Sequence, residues 1–202
     1  MSHDGAADDD PGDLLRVLGY RGAIDARRGA REVAPDVVTV PFWTPEFCGA
    51  IVRAAEAVGA FEAQPDDPVP GHEVSLAAIS PALFNRVEHD LGERVWPQLQ
   101  SVWPYIDYYG LRDAFVIRYA LGEQESLRIH HDVAQVSASV KLNDGYEGGE
   151  LVFPRQSFTN AELVVGELVA WPSLVSHPHE TARLISGVKY ALTIWFELPQ
   201  LT

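Results

Sequence analysis

The chain has 202 residues, of which 47% are hydrophobic and 10% aromatic, a composition typical of a soluble globular protein. Its 15 lysines and arginines face 29 aspartates and glutamates, and the net charge of −14 argues against nucleic acid or an anionic membrane as a partner. No apolar run approaches the roughly 18–20 residues of a membrane span, and the single cysteine excludes an internal disulfide.

The N-terminal segment, residues 1–13, is acidic and interrupted by glycine and proline, which predicts disorder. It lacks the basic and apolar regions of a secretory signal, and together with the lone Cys48 this favours a cytoplasmic location. Residues 14–202 are predicted to form a single domain. Its helical support should occupy about residues 36–112 and its barrel core about residues 113–199.

The first predicted elements are a strand at Asp36–Val40, closed by Pro41, and a helix that follows it. Thr44 has the residue type of an N-cap, proline occupies the first turn, and the helix should end at Gly59.

A loop at residues 63–72 precedes a second helix, which Ser80 and Pro81 should begin by the same capping chemistry. Pro97 is expected to kink or divide it, because proline breaks helical hydrogen bonding. Its apolar residues recur at helical spacing: Leu83, Phe84, Val87, Leu91, Val95 and Leu99.

From Ala114 onward the sequence consists of short β runs separated by glycine, proline, asparagine or aspartate. Short antiparallel strands joined by such turns suggest a barrel or a sandwich. The predicted strands are Ala114–Leu121, Leu127–His130, Ala134–Leu142, Glu150–Phe153, Glu167–Trp171, Val175–His179 and Lys189–Glu197.

The last predicted strand has two faces of different character. One face is fully apolar and suits packing on helices, whereas the other is mixed, carries one lysine and suits a barrel interior. The apolar face consists of Tyr190, Leu192, Ile194 and Phe196, and the mixed face of Lys189, Ala191, Thr193 and Trp195.

A candidate metal centre begins with His130 and Asp132, which are two residues apart and would share one side of an extended strand. Two histidines follow about 45 residues later, His177 and His179, and either could complete the set. Two imidazoles and one carboxylate bind iron(II) on one face and leave the other coordination positions open.

The C-terminal half resembles the iron(II)- and 2-oxoglutarate-dependent oxygenases, in particular the branch of prolyl 4-hydroxylases and procollagen-lysyl hydroxylases. The resemblance runs from Phe115 to Pro199. The residues that carry it are Val116-Ile117-Arg118-Tyr119, Glu123-Gln124-Glu125-Ser126-Leu127, His130-His131-Asp132, Leu142-Asn143, Tyr146-Glu147-Gly148-Gly149, Phe153, Gly166, His179-Glu180, Gly187-Val188-Lys189-Tyr190 and Trp195-Phe196.

The resemblance implies a mainly β fold, a double-stranded β-helix or jelly-roll, cupin-like barrel, buttressed by two N-terminal α-helices. It implies hydroxylation of an unactivated C–H bond of a small molecule, amino acid or peptidyl residue, with release of succinate and CO2. The implied cofactors are Fe(II), 2-oxoglutarate as cosubstrate and O2, with ascorbate as an accessory reductant. The large accessory domains of animal lysyl hydroxylases do not fit in this chain, so the substrate is not carried over.

The resemblance also implies roles for individual residues. His130, Asp132 and His179 would be the iron ligands, and His179 is favoured over His177 because the ten-residue step to Lys189 matches the family. Lys189 would bind the far carboxylate of 2-oxoglutarate, as a buried ammonium needs an anion nearby, although a surface lysine is the alternative. Tyr119 would donate to the same carboxylate or lie in the core.

Two other functions compete with the hydroxylase. One is a non-catalytic module that senses iron or 2-oxoglutarate, and the other is a cupin-type metal protein of different chemistry. The substrate is expected to be neutral or cationic near the reacting carbon, because acidic residues should rim the barrel mouth. The alternative is that these acids, Asp66, Asp67, Glu73 and Glu147, only confer solubility.

Overall fold

The computed structural model describes residues 29–63 and 69–199 of the chain. The predicted disordered tail, residues 1–13, lies outside the described residues, as do Asp66 and Asp67 in the acidic loop. Among the described residues, no helix is long and apolar enough to cross a membrane.

The larger of the sheets has seven antiparallel strands. They are β1 (Arg31–Ala34), β2 (Val37–Pro41), β3 (Glu73–Ser75), β4 (Leu111–Ala120), β6 (Val136–Lys141), β10 (Glu167–Pro172) and β13 (Val188–Phe196). Their spatial order is β1-β2-β10-β6-β13-β4-β3, so the two longest strands, β4 and β13, lie side by side, with the short β3 at the sheet edge beyond β4.

A smaller sheet covers the inner face of the larger one. It consists of β5 (Leu127–His130), β8 (Leu151–Phe153), β9 (Phe158–Thr159) and β11 (His179–Thr181), while β7 (Glu147–Gly148) pairs separately with β12 (Leu184–Ser186). The order within the smaller sheet is β5-β11-β8-β9. The two sheets enclose a pocket, and the architecture is the expected double-stranded β-helix.

The first helix is confirmed at both ends. Helix α1 (Pro45–Val58) begins after Thr44, whose side-chain oxygen accepts a hydrogen bond from the Phe47 amide at 3.3 Å. It ends at Gly59, which adopts the left-handed conformation typical of a helix C-terminus.

The second predicted helix is a series of shorter segments. A single turn, α2 (Leu76–Ile79), precedes Ser80, whose hydroxyl accepts from the Leu83 amide and begins α3 (Pro81–Asp90). A π-helical turn (Leu91–Val95) then leads into α4 (Trp96–Gln100). The division therefore occurs before Pro97, where the wider turn makes room for a ring that would otherwise clash with the preceding carbonyls.

The main core lies between these helices and the outer face of the larger sheet. The predicted helical stripe is confirmed, because five of its six members are fully buried there and Phe84 packs against them. The apolar face of β13 meets this stripe, and each buried leucine or valine contributes about 1.5–3 kcal/mol to the burial free energy. The fully buried stripe residues are Leu83, Val87, Leu91, Val95 and Leu99.

One predicted strand is wrong in position. Residues 174–176 form a turn in which Leu174 has a positive φ of 58°, and the strand begins only at His179. His177 therefore precedes the strand and does not share a strand face with His179.

Gly166 fixes the contact between the barrel and the segment before α1. Its carbonyl accepts hydrogen bonds from the amides of Phe42 and Trp43, and a Cβ at Gly166 would lie 1.9 Å from the Trp43 carbonyl oxygen. Its φ is +89°. We expect Gly166→Ala to lower the free energy of unfolding by about 2–4 kcal/mol, from backbone strain plus overpacking.

Urea unfolding checks this value, with Gly122→Ala as the matched control. Gly122 also has a positive φ, +78°, but a Cβ there would meet no atom within 4 Å. The control should lose only the conformational part, about 1–2 kcal/mol. Equal losses in both variants would show that the contact with Trp43 has no effect on stability.

Candidate active site

A pocket of about 390 Å³ lies between the two sheets. The mixed face of β13 points into it, as predicted, and the neighbouring face of β4 completes the floor. These lining residues are Lys189, Ala191, Thr193 and Trp195 on β13, and Asp113, Phe115, Ile117 and Tyr119 on β4.

His130, Asp132 and His179 meet at one end of this pocket. The register of the smaller sheet places His179, the first residue of β11, directly opposite His130, the last residue of β5. One ligand atom from each side chain lies within 4.8 Å of the others. The expected two-residue spacing on one strand does not apply, because β5 ends at His130 and Asp132 lies beyond it. The Asp132 side chain reaches the metal site from the segment that follows the strand.

Hydrogen bonds to backbone carbonyls orient the His130 and His179 imidazoles so that the Nε2 atom of each ring faces Asp132. His130 Nδ1 donates to the Arg128 carbonyl at 2.8 Å, and His179 Nδ1 donates to the His177 carbonyl at 3.0 Å. Each Nε2 is left facing Asp132, at 3.4 Å from Oδ1 for His130 and 3.5 Å from Oδ2 for His179. Outer hydrogen bonds of this kind orient the histidine ligands of metal sites.

Asp132 is buried, and its Oδ2 has no hydrogen-bond donor among the described residues. A buried carboxylate oxygen without a donor is costly unless a cation neutralises it. Two Nε2 lone pairs and this oxygen therefore form a donor set that fits a divalent transition metal such as iron(II).

The electrostatics of the three groups are coupled. Burial lowers the pKa of His179, which keeps its imidazole neutral. Burial would also lower the pKa of His130, but its hydrogen bonds with Asp132 and the Arg128 carbonyl raise it overall. Burial alone would raise the pKa of Asp132, yet the hydrogen bonds from His130 and Ser137 hold it below its ordinary value. The carboxylate is thus ionised and ready to bind a cation.

Two aromatic rings pack against the His179 imidazole. Its ring centroid lies 4.8 Å from that of Trp171 and 5.5 Å from that of Phe153. These contacts restrict rotation of the imidazole.

His177 belongs to a different environment. It is 3% exposed, its Nδ1 contacts the Ser176 hydroxyl at 2.9 Å, and its Nε2 contacts the Pro35 carbonyl at 3.1 Å. The side chain ties the 174–178 turn to the β1–β2 connection and does not reach Asp132. His131, next to His130, is exposed at the pocket edge.

Lys189 lies inside the pocket with 4% of its surface exposed. Its ammonium is 4.6 Å from the centroid of the Tyr119 ring, and it forms no ion pair with a described residue. Burial lowers the pKa of Lys189 to about 7, although Glu150 opposes the shift. An amine held this way in a cavity is prepared for an incoming anion.

Tyr119 shares this end of the pocket. It lies opposite Lys189 in the β4–β13 register, and its hydroxyl is 3.0 Å from Thr181 Oγ1 on the smaller sheet. Burial raises the pKa of the Tyr119 phenol above its ordinary value, so the group stays a neutral donor.

Comparison with known proteins places these features in a family. Residues 114–197, which hold all three metal-site residues, Tyr119 and Lys189, match the sequence model of the 2OG-Fe(II) oxygenase superfamily. These residues are a 2OG-Fe(II) oxygenase domain.

Curated proteins similar to the chain include procollagen lysine hydroxylases. The chain is 26% identical over 191 residues, 86% of its length, to a multifunctional procollagen lysine hydroxylase and glycosyltransferase of Caenorhabditis elegans. It is 28% identical over 169 residues, 77% of its length, to the mouse procollagen-lysine,2-oxoglutarate 5-dioxygenase 1. It spans about a quarter of these relatives, 26% and 23% of their respective lengths.

Solved structures share the fold of the oxygenase domain. A viral collagen prolyl hydroxylase from Paramecium Bursaria Chlorella virus-1, in complex with 2OG, superposes with a TM-score of 0.62 at 18% identity, covering 83% of this chain and 100% of that one. A prolyl-4-hydroxylase of Pseudomonas putida gives a TM-score of 0.57 at 17% identity, covering 94% and 100%.

The structure adds pocket residues that the sequence did not predict. Thr181 follows His179 at strand spacing, which was a usable signal once the strand started at His179. Trp171 was visible as the end of a strand, but nothing local showed that it would pack on a histidine. Asp113 precedes the predicted start of its strand, so no strand pattern indicated that it would line the pocket.

The expected acidic rim is corrected by the structure. Glu73 does line the pocket of the oxygenase domain, whereas Glu147 lines a separate cavity of about 120 Å³. Asp66 and Asp67 lie outside the described residues. Net charge alone could not distinguish these two cavities.

Proposed function

We propose that this chain is an Fe(II)- and 2-oxoglutarate-dependent hydroxylase of a C–H bond in a peptidyl residue, amino acid or other small molecule. The observation that carries the proposal is one pocket with a His–Asp–His donor set at one end and, at the other, a buried lysine that forms no ion pair with a described residue. The overall reaction balances as R–H plus O2 plus 2-oxoglutarate giving R–OH, succinate and CO2.

Three residues hold the metal in this proposal: His130 and His179 through Nε2, and Asp132 through its carboxylate. When bound, ferrous iron supplies the redox chemistry that couples cleavage of O2 and decarboxylation of 2-oxoglutarate to insertion of oxygen into the C–H bond. The protein orients the reactants and excludes water, with Trp171 and Phe153 packed against the His179 imidazole.

Lys189 and Tyr119 bind the far carboxylate of 2-oxoglutarate in this proposal. The Lys189 ammonium supplies the counter-charge in a site where the dielectric constant is low, and the Tyr119 hydroxyl can donate a hydrogen bond. Thr181 orients that hydroxyl from the opposite sheet.

The relatives named above act, by their names, on procollagen lysine and on collagen proline residues, which supports a peptidyl substrate for this chain as well. A cytoplasmic location, and the absence of nucleic-acid and membrane partners, stay predictions from the sequence.

Substrate-independent decarboxylation tests the proposal. Wild-type protein loaded with ferrous iron should convert 2-oxoglutarate to succinate in the presence of O2, and omission of either iron or O2 should stop the conversion. Binding of 2-oxoglutarate without any succinate, across a panel of amino-acid and peptide candidates, would instead indicate the sensor alternative.

The pKa of Lys189 predicts a pH dependence for cosubstrate binding. The pKa of Lys189 is about 7 in the folded protein, against an ordinary value of 10.5. Between pH 7 and 10.5 the amine is therefore protonated in the unfolded chain but largely neutral in the folded protein. The free energy of unfolding of the ligand-free protein consequently increases as the pH rises through this range. An anion beside the amine raises that pKa. Binding of 2-oxoglutarate should therefore be accompanied by uptake of about half a proton per site by Lys189 at pH 7, and of nearly one proton at pH 8.5.

Calorimetry in buffers of different ionisation enthalpy measures this uptake, with Mn(II) already bound. Lys189→Arg is the control, because guanidinium stays charged throughout and should take up no proton. Equal uptake in both proteins would assign the proton to another group.

A further inference from the structure

The end of the pocket far from Lys189 carries a carboxylate, Asp113 on β4. Asp113 lies opposite Trp195 in the register of β4 and β13. Trp195 is six positions from Lys189 along β13, which at about 3.3 Å per residue separates the two ends by roughly 20 Å. A cation bound near Asp113 would therefore escape most of the repulsion of Lys189.

The Asp113 carboxylate is available to a ligand. Its Oδ1 accepts a hydrogen bond from the Ala114 amide at 2.7 Å, and it forms no ion pair with a described residue. Desolvation raises the pKa of Asp113, partly offset by the Ala114 amide and the charge of Arg112. A cationic ligand that donates a hydrogen bond to the Asp113 carboxylate would compensate for the solvation that this carboxylate loses on burial.

Aromatic rings lie next to this carboxylate. Trp195 and Phe115 pack edge to face at 5.1 Å between centroids, and both line the pocket. The exposed Arg112 guanidinium lies 5.8 Å from the Trp195 centroid, donates to the Val133 carbonyl and forms no ion pair with Asp113. A carboxylate beside aromatic rings is suited to an ammonium group.

The position of Asp113 relative to the metal-site residues sets the size of the ligand. Ser137 on β6, whose hydroxyl helps to lower the pKa of Asp132, pairs with Trp195, and Trp195 pairs with Asp113. Strands are about 4.8 Å apart, so Asp113 lies roughly 10 Å across the floor from Ser137. If a cationic group of a ligand binds Asp113, the ligand's carbon atoms a few bonds from that group would lie beside the His–Asp–His group.

We propose that Asp113 is a specificity residue that binds a positively charged amine of the substrate, separated from the reacting carbon by a short alkyl chain. This inference rests on the proposed hydroxylase function. The proposal explains why Asp113 lines a pocket whose opposite end carries the buried Lys189 ammonium, which is suited to an anion.

Two matched probes test the proposal: Nα-acetyl-lysine amide, which has a side-chain amine, and Nα-acetyl-norleucine amide, which lacks it. Binding to protein loaded with Mn(II) and 2-oxoglutarate is measured by tryptophan fluorescence. Wild type should bind the amine about 10- to 100-fold more tightly, as expected for a hydrogen bond between charged groups. Asp113→Asn, which keeps the acceptor for the Ala114 amide, should reduce this preference to less than about threefold.

Glu147→Gln is the matched control, because it removes the same charge from the separate cavity, and it should retain the preference. Equal binding of both probes by wild type, or a preference that survives in Asp113→Asn, would overturn the proposal. So would an equal loss in Glu147→Gln, which would point to bulk charge. Failure of the hydroxylase proposal is recognised separately, as absence of succinate from wild type without any probe.

Discussion

Replacing His130, Asp132 or His179 by alanine is expected to abolish the weak visible absorption band formed when ferrous iron and 2-oxoglutarate are added anaerobically. Each of these side chains supplies one of the three converging ligand atoms. Changes to groups that only orient a ligand cost about 10- to 100-fold in metal affinity, so loss of a ligand should cost more than that. The band and direct iron titration measure the effect.

His177→Ala is the control, because His177 is as buried as His179 but hydrogen-bonds to Ser176 and Pro35. It should keep most of the band, with thermal unfolding used to confirm that the variant is folded. Loss of the band in His177→Ala together with retention in His179→Ala would reverse the assignment of the distal ligand.

Lys189→Met is expected to weaken 2-oxoglutarate binding by roughly 100-fold to several thousand-fold while iron binding survives. Removing one partner of a buried charge pair costs about 3–5 kcal/mol, and each 1.4 kcal/mol is about tenfold in affinity. Methionine keeps much of the volume beside Gly149, where space is tight. Titration of the metal-loaded protein with 2-oxoglutarate measures the loss, and Lys189→Arg should recover part of it.

Lys141→Met is the matched control for Lys189. Lys141 contributes to the field at Lys189, but its own ammonium is paired with Asp144 at 2.7 Å and donates to the Leu163 carbonyl. Its removal should change 2-oxoglutarate affinity by no more than a few-fold. Similar losses in both variants would mean that Lys189 acts through its general charge and makes no direct contact with the cosubstrate.

Local signals explain which elements could be predicted. Thr44 and Ser80 cap helices through hydrogen bonds three residues away, and such contacts are written in the adjacent sequence. The alternation along β13 was equally local and gave both faces correctly. Strands of two residues, such as β7 and β9, exist only through their pairing with distant segments and have no pattern of their own.

The site was predictable in its residue types but not in its geometry. The motif indicated His130 and Asp132, yet Asp132 reaches the centre from a turn beyond the strand. The choice between His177 and His179 rested on a resemblance, whereas in the structure it follows from where β11 begins. Asp113 lay just before the expected strand start, so its place on the pocket floor emerged only from the β4–β13 register.

A crystal structure with Mn(II) and 2-oxoglutarate, in which the redox-inactive metal prevents turnover, tests the central claim most directly. We expect an anomalous peak that places Mn(II) within bonding distance of His130 Nε2, the Asp132 carboxylate and His179 Nε2. We also expect the far carboxylate of 2-oxoglutarate to pair with the Lys189 ammonium. A metal bound at any other group, or a cosubstrate carboxylate that avoids Lys189, would contradict it.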